Sequence, residues 1–320
     1  MESNSIPSLC AIPGKLKVMN LTEDHDETMT NVRAEKVREV ARLATRTGRA
    51  RAGEFLAEGP QAVREAMKSH IARDAEGKGA VVRQIFATDD CLDKYPEFEE
   101  MVAKAPGVRA RLVSPEVLAA MADTVTPQGI VATCVIPETE LEQILAAKPA
   151  LVAVLCRVQD PGNAGTILRA ADAAGADALI LTGGSVDIYN PKAVRSTVGS
   201  IFHLPIATNV ELSEVIAALK AQGSTILAAD GYGAADLDEL QDASAARRTG
   251  GTFETNSEAP VLEDPTTWLF GNEGQGLNED ELSRADHRVA VPLYGIAESL
   301  NVSTAATVCL YASARAQRRK

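Results

Sequence analysis

The chain runs to 320 residues, 45% hydrophobic and 24% charged, with a formal net charge of −12. That length favours two cores over one, and no run of about 18 apolar residues is present to cross a membrane as a helix. Aromatic residues make up only 4%, too few for a protein that reads single-stranded RNA chiefly by base stacking.

Residues 1–30 mix Ser, Pro, Asn and acids without periodicity and are expected to form a disordered leader. From residue 31 the apolar positions Val32, Val37, Val40 and Leu43 recur near helical spacing, with arginines between them. Residues 46–53 read as a basic, glycine-bearing loop, 55–57 as a short strand, and Pro60 as the opening of a helix. A strand is expected over 81–87, followed by an acidic turn, then a helix over 95–105 and a strand over 108–113. Ser114 and Pro115 cap a helix to Ala122, and 130–136 is an apolar strand. This alternation makes residues 31–136 a small α/β domain, whose basic helix and loop mark it as a substrate platform. Residues 137–149 form a linker, part of it helical.

A second α/β domain is expected over 150–320. The continuous apolar run 151–156 reads as a buried strand, followed by a turn and a helix that reaches Ala174. Further strands are expected over 178–181 and 225–229, with helices over 191–200 and 212–221. Residues 231–265 are acidic and rich in small residues, and 243–259 read as a flexible surface insertion.

The negative total argues against a nucleic-acid partner only if charge is spread evenly, and it is not. Residues 31–73 hold ten Lys/Arg against five Asp/Glu, a local surplus of five positive charges. The acids gather in the leader and between Asp236 and Asp264. Local sign decides what a surface attracts, although a solvated basic helix on an acidic protein would show the same pattern. The five cysteines are isolated, with no C-x-x-C pair and no histidine cluster, so neither a disulfide framework nor a metal site is indicated and a reducing cytoplasm is expected. Cys156 and Cys309 stand in apolar runs as small core residues.

Chemistry concentrates in three segments. Asn163 stands as a candidate N-cap, with small residues behind it that leave backbone N–H groups open to an anion. Arg169 follows among apolar and small neighbours, either serving a site or pairing with Asp172 or Asp177 at the surface. The run Gly271-Asn272-Glu273-Gly274-Gln275-Gly276 follows an apolar strand but fits neither the dinucleotide fingerprint nor the P-loop. Glu273 within it could accept hydrogen bonds from a ribose or orient Arg169, or stand as an exposed loop carboxylate. Near the end, Ser299, Asn301 and Ser303 offer more polar side chains than capping the final helix requires.

At these segments the chain resembles the SpoU (TrmH) branch of the SPOUT RNA methyltransferases. The family's first motif is matched by Asp160-Pro161-Gly162-Asn163-Ala164-Gly165 with Arg169. The second is matched by Phe270-Gly271-Asn272-Glu273-Gly274-Gln275-Gly276-Leu277, and the third by Val291-Pro292 with Ser299-Leu300-Asn301-Val302-Ser303. All three occur in the family's order. Gly53-Glu54-Phe55-Leu56-Ala57-Glu58-Gly59 also looks like the family's RNA substrate-binding domain, which is similar to ribosomal proteins.

The resemblance implies a trefoil-knotted α/β methyltransferase domain of SPOUT type, S-adenosyl-L-methionine as donor, transfer to a ribose 2′-hydroxyl, and a homodimer. It implies catalytic roles for Arg169, Asn163, Glu273, Asn301 and Ser303. Cofactor contacts are implied for Gly271, Val291, Leu293, Leu300 and Asn301, with no metal and no membrane. The two-domain layout implies ribosomal rather than transfer RNA as partner. The alternatives are a transfer-RNA methyltransferase, a resistance methyltransferase of the same layout, and a non-catalytic RNA-binding protein of this fold. A dinucleotide oxidoreductase is disfavoured by the missing fingerprint after Cys156. A guanidinium with a pKa above about 12 hardly deprotonates, so Arg169 is expected to stabilise a developing alkoxide and a nearby phosphate.

Overall fold

The computed structural model describes residues 28–251, 253 and 259–318. Strands β1 (Glu54–Glu58), β2 (Val82–Ala87), β3 (Arg109–Leu112) and β4 (Ile130–Val135) form a mixed sheet in the order β1-β4-β2-β3. Strands β5 (Leu151–Leu155), β6 (Ala178–Thr182), β7 (Ile206–Val210), β8 (Thr225–Ala229), β9 (Ala235–Asp236), β10 (Thr266–Phe270) and β11 (His287–Ala290) form a second sheet. Its order is β7-β6-β5-β10-β8-β11-β9, and every pairing in it is parallel. Every residue of β5, β6 and β10 is buried, as expected of inner parallel strands covered on both faces.

Register explains how distant motifs meet. Thr266 lies opposite Leu151 and Phe270 opposite Leu155, so β5 and β10 end level. The chain beyond each strand therefore emerges side by side at the carboxyl edge, where open α/β sheets place their ligands. After β11 the chain returns to form the closing helix Val302–Arg318, which stacks on the helix Pro161–Ala174. Trp268 on β10 is fully buried and donates its indole N–H to Ser313 Oγ of that helix at 2.9 Å.

The two sheets share one hydrophobic core. Phe55 of β1 packs on Tyr189 and Phe202 with ring centroids 5.0 and 5.8 Å apart. Buried Arg49 reaches Asp187 at 2.6 Å, and Arg195 bonds Glu58 at 2.9 Å and Asp123 at 3.0 Å. His203 stands between Asp172 (2.7 Å) and Glu65 (3.4 Å). Apolar packing and these polar ties hold the platform against the parallel sheet.

Several elements differ from expectation. Residues 46–53 are not a loop but the helix Arg46–Ala52. Thr45 caps it by accepting from the Gly48 amide at 3.1 Å, and Gly53 ends it in the left-handed region (φ +65°) that glycine enters without strain. The acidic turn after β2 is the helix Asp89–Lys94, capped by Thr88. Residues 243–249 continue the helix Leu237–Thr249, capped by Asp236 and anchored by buried Ala243 and Ser244, so this part of the expected insertion is ordered structure. Residues 252 and 254–258 of that insertion, and 1–27 of the expected leader, lie outside the described residues. Met29 is buried and pairs with Val113, which places it in the platform rather than in a leader. The strands β7 and β9 and the helix Glu279–Arg284 had no counterpart in the sequence reading.

Candidate active site

Asp160, rather than Asn163, caps the helix that leaves β5, accepting from the Asn163 amide at 2.9 Å. Lys192 bonds the other Asp160 oxygen at 2.7 Å and, with the capping bond, holds that carboxyl below its ordinary range. Asn163 thus lies in the first turn of the helix with its side chain free to point outward.

The glycine run after β10 folds back on itself. Asn272 and Gly276 exchange both backbone bonds, at 3.0 and 2.8 Å, and Asn272 Oδ1 accepts from the amides of Gly274 and Gln275. Gly271 is obligatory here, because a Cβ would stand 2.3 Å from the Gly276 carbonyl carbon and 2.4 Å from the Leu277 nitrogen. The fold-back aims Glu273 at the first motif. Its two oxygens accept from the Asp160 amide (2.9 Å), the Gln159 amide (3.1 Å) and Asn163 Nδ2 (3.2 Å). Burial pushes the Glu273 carboxyl up, but the bonded amides outweigh it and hold the group below the usual glutamate range. Glu273 does not orient Arg169 here; among the described residues the side chain it orients is Asn163, a role the sequence reading did not include.

The third motif completes the chain of contacts. Asn301 donates to Asn163 Oδ1 at 3.1 Å and accepts from the amide and the hydroxyl of Ser303 at 2.8 and 2.6 Å. Glu273, Asn163, Asn301 and Ser303 therefore form one continuous network, and each member fixes the side-chain orientation of the next. Arg169 does not join it. It is exposed on the same helix, six residues past Asn163 and so about 9 Å along the axis. It faces outward with exposed Thr166, while Gly165 is pressed against Ala193. The surface pairing is not made either. Asp172 is bonded to His203, Asp177 accepts from the amides of Ala150 and Leu151, and Arg169 has no partner among the described residues.

The segment 291–300 lies beside this network, joined to it through Asn301. No backbone–backbone hydrogen bond among the described residues involves these ten positions. Val291 is half-buried against the core, whereas Leu293 and Leu300 are 40% and 36% exposed. Unbonded amides and carbonyls flanked by exposed apolar side chains fit a ligand with both polar edges and apolar faces. The backbone-to-backbone approach at Gly271 and this open segment are compatible with a nucleoside-bearing cofactor held mainly by main-chain groups.

One pair went unread in the sequence. Arg157, the residue after buried Cys156, clamps Glu281 through two bonds of 2.8 Å, and this pairing raises the guanidinium pKa further. Glu281 is buried and also closes a capping box with Asn278. The Arg157 carbonyl accepts from Asn272 Nδ2 at 3.1 Å and its guanidinium donates to the Gly276 carbonyl at 3.4 Å, so Arg157 holds both ends of the glycine fold-back. An arginine closing an apolar strand was the available signal, but its partner lies 124 positions away. Among the described residues no group of His, Cys, Asp and Glu is placed to hold a metal ion, and no helix is long and apolar enough to cross a membrane.

The profile of the SpoU rRNA Methylase family matches residues 150–311, and that of an MRM3-like substrate binding domain matches 34–132. The 23S rRNA (guanosine(2553)-2′-O)-methyltransferase RlmP of Bacillus subtilis is 35% identical over 87% of this chain and 95% of its own length. The AdoMet-bound rRNA methyltransferase of Sinorhizobium meliloti superposes with a TM-score of 0.71 at 26% identity, covering 90% of this chain and 97% of that one. The SpoU methyltransferase AviRb of Streptomyces viridochromogenes, in complex with AdoMet, gives 0.70 at 28% identity over 88% and 98%. With both profiles matched in order and the three motifs gathered at one sheet edge, the chain belongs to the SpoU rRNA methylase family and carries an MRM3-like substrate-binding domain ahead of its methylase domain.

Proposed function

We propose that the protein transfers the methyl group of S-adenosyl-L-methionine to a ribose 2′-hydroxyl of ribosomal RNA. The observation that carries this reading is the convergence of Glu273, Asn163, Asn301 and Ser303 into one network beside the unbonded segment 291–300. The relatives described above, two of them holding AdoMet, support the donor and the substrate class.

Gly271, Val291, Leu293, Leu300 and Asn301 are assigned to hold the donor, which when bound supplies a methyl group made electrophilic by a sulfonium. Glu273 fixes the Asn163 amide, and Asn163 fixes Asn301. Their shared role is to present polar groups at set positions, so that the incoming ribose meets a pre-oriented site. Arg169 carries a full charge with no internal partner, so it is available to the ribose oxygen as negative charge develops and to the adjoining phosphate. The proton of the hydroxyl leaves to solvent or to a phosphate oxygen, since the guanidinium cannot take it.

Residues 31–136 serve as the RNA platform and 150–320 as the methyltransferase domain. The protein is assigned to the cytoplasm and to a homodimer, and one exposed face supports the dimer. Thr304, Val308, Tyr311 and Arg315 form an exposed stripe at helical spacing along the closing helix, next to exposed Leu300. The functional test is a transcriptome-wide map of 2′-O-methylation in a strain lacking the gene. Expected is the loss of one ribosomal site, restored by the wild-type protein and not by Arg169→Ala. An unchanged ribosomal map, or loss of a transfer-RNA site, would overturn the assignment.

A further inference from the structure

The geometry points to a second RNA-binding element: a cavity in the platform that holds one unpaired nucleotide of the substrate. This rests on the reading that RNA is the substrate. The cavity has a volume of about 390 Å³ and lies between the helices Glu35–Ala41 and Arg46–Ala52 and the start of β1. That volume falls in the range of small-molecule sites, about 300–1,000 Å³.

Its lining combines the three kinds of group that an unstacked nucleotide requires. Val40, Leu43 and Ala52 give an apolar surface for a base. Glu35 and Glu54 offer carboxylates to its N–H donors, and Arg42 and Arg51 offer guanidinium planes for stacking and charge for phosphate. None of these four charged side chains has an ion-pair or hydrogen-bond partner among the described residues. At the floor stands Thr133, 2% exposed, whose hydroxyl is buried with no hydrogen-bond partner. Buried polar groups are nearly always paired, and an orphan beside a charged cavity marks a bond reserved for something not in the chain. Thr133 projects from β4 onto the same face of the sheet as Val131, away from the core shared with the parallel sheet.

Position strengthens the assignment. The helix that carries Arg51 also carries Arg49, whose bond to Asp187 fixes this wall of the cavity to the methylase domain. Exposed Arg38 and Arg46 flank it on the same two helices, also without partners, and extend a positive path for the sugar–phosphate chain on either side. Aromatic residues are absent from the lining, which agrees with the low aromatic content of the chain and leaves stacking to arginine.

The test uses full-length protein and an unmodified 23S rRNA transcript as probe. Thr133→Val keeps the shape and the strand preference and removes only the orphan hydroxyl. If the hydroxyl serves nothing, the variant melts at or above the wild-type temperature and binds RNA equally well. Expected instead is unchanged or raised stability with RNA affinity about 5- to 10-fold weaker, about one hydrogen bond, and no change in AdoMet affinity. Arg51→Gln should also weaken binding and lower the salt dependence by about one phosphate contact. Wild-type RNA affinity in both variants would overturn the cavity assignment while leaving the methylation reading intact, provided the wild-type protein methylates the transcript. A wild-type protein that neither binds nor methylates it would overturn both. Saturable binding of free GMP in the cavity, with RNA affinity indifferent to Thr133→Val, would assign the cavity to a free nucleotide instead.

Discussion

Arg157 combines an unusual backbone with a clamp, and the two can be separated by substitution. Its φ of +58° lies in the left-handed region, which costs a non-glycine residue about 1 kcal/mol. Its side chain makes two bonds of 2.8 Å to Glu281, a carboxylate with 7% side-chain exposure. Removing one partner of a buried pair costs about 3–5 kcal/mol. Arg157 itself is 29% exposed, and allowing for solvent screening lowers the expected loss for Arg157→Ala to about 2–3 kcal/mol. Arg157→Gly loses the same bonds but releases the strained backbone, so it should be milder by about 1 kcal/mol. In both variants the fold-back 272–276 loses its anchor at one end, and AdoMet affinity should fall about tenfold, equivalent to about 1.4 kcal/mol. Urea denaturation and calorimetric titration with AdoMet measure the two effects. An alanine variant within 0.5 kcal/mol of wild type, as is usual for surface changes, or a glycine variant less stable than the alanine one, would refute this reasoning.

Other perturbations probe the rest of the site. Gly271→Ala forces a methyl group into the Gly276–Leu277 backbone and should weaken AdoMet binding about 10- to 100-fold, following an overpacking cost of about 1–3 kcal/mol; calorimetric binding like the wild type would contradict the close approach. Glu273→Gln should destabilise the fold by about 1 kcal/mol at neutral pH, by weakening bonds to partly solvated amides. Because the folded Glu273 pKa is depressed, its stabilisation is complete above the ordinary glutamate range and disappears as pH falls through the folded value. The melting-temperature gap between Glu273→Gln and wild type should therefore close on acidification, and a gap that widens would reverse the sign. Arg169→Ala should abolish methyl transfer, by at least about 100-fold, while AdoMet affinity and melting temperature stay at wild-type values. Near-normal turnover would remove Arg169 from the catalytic set.

How much of this was legible before the structure depended on the range of the interaction. The continuous apolar run at 151 announced a buried strand, and β5 is buried along its length. The three motifs were readable as local patterns, but their meeting depends on the level ends of β5 and β10, which lie more than a hundred residues apart. The basic stretch 46–53 looked like a loop because Gly48 sits inside it and arginine-rich composition carries no helical stripe. Its helix is made by a cap at Thr45 and a left-handed stop at Gly53, both within one or two residues of where a turn would begin. Asn163 was mistaken for the cap because Asp160, three positions earlier, competes for the same role with a proline behind it. Residues 243–249 have the composition of a mobile segment, yet Ala243 and Ser244 are buried, which is tertiary context overriding propensity. The Arg157–Glu281 clamp and the orphan Thr133 hydroxyl are products of packing alone.

The distribution of charge now has a structural sense. The acidic total does not describe the platform surface proposed to meet RNA. Arg38, Arg42, Arg46 and Arg51 stand exposed and without acid partners on two helices of the platform and the 3-10 turn Arg42–Ala44 that joins them, while many of the acids elsewhere are consumed in caps and ion pairs, as at Asp160, Asp187 and Glu281.

The most direct measurement is a product assay. Purified protein, AdoMet labelled in its methyl group and an unmodified 23S rRNA transcript are incubated together, and the RNA is then digested to nucleosides and separated. Label in a single 2′-O-methylnucleoside, absent with Arg169→Ala, is the expected result. Label in a base-methylated nucleoside, or no transfer by a protein that binds the transcript, would contradict ribose methylation at this site.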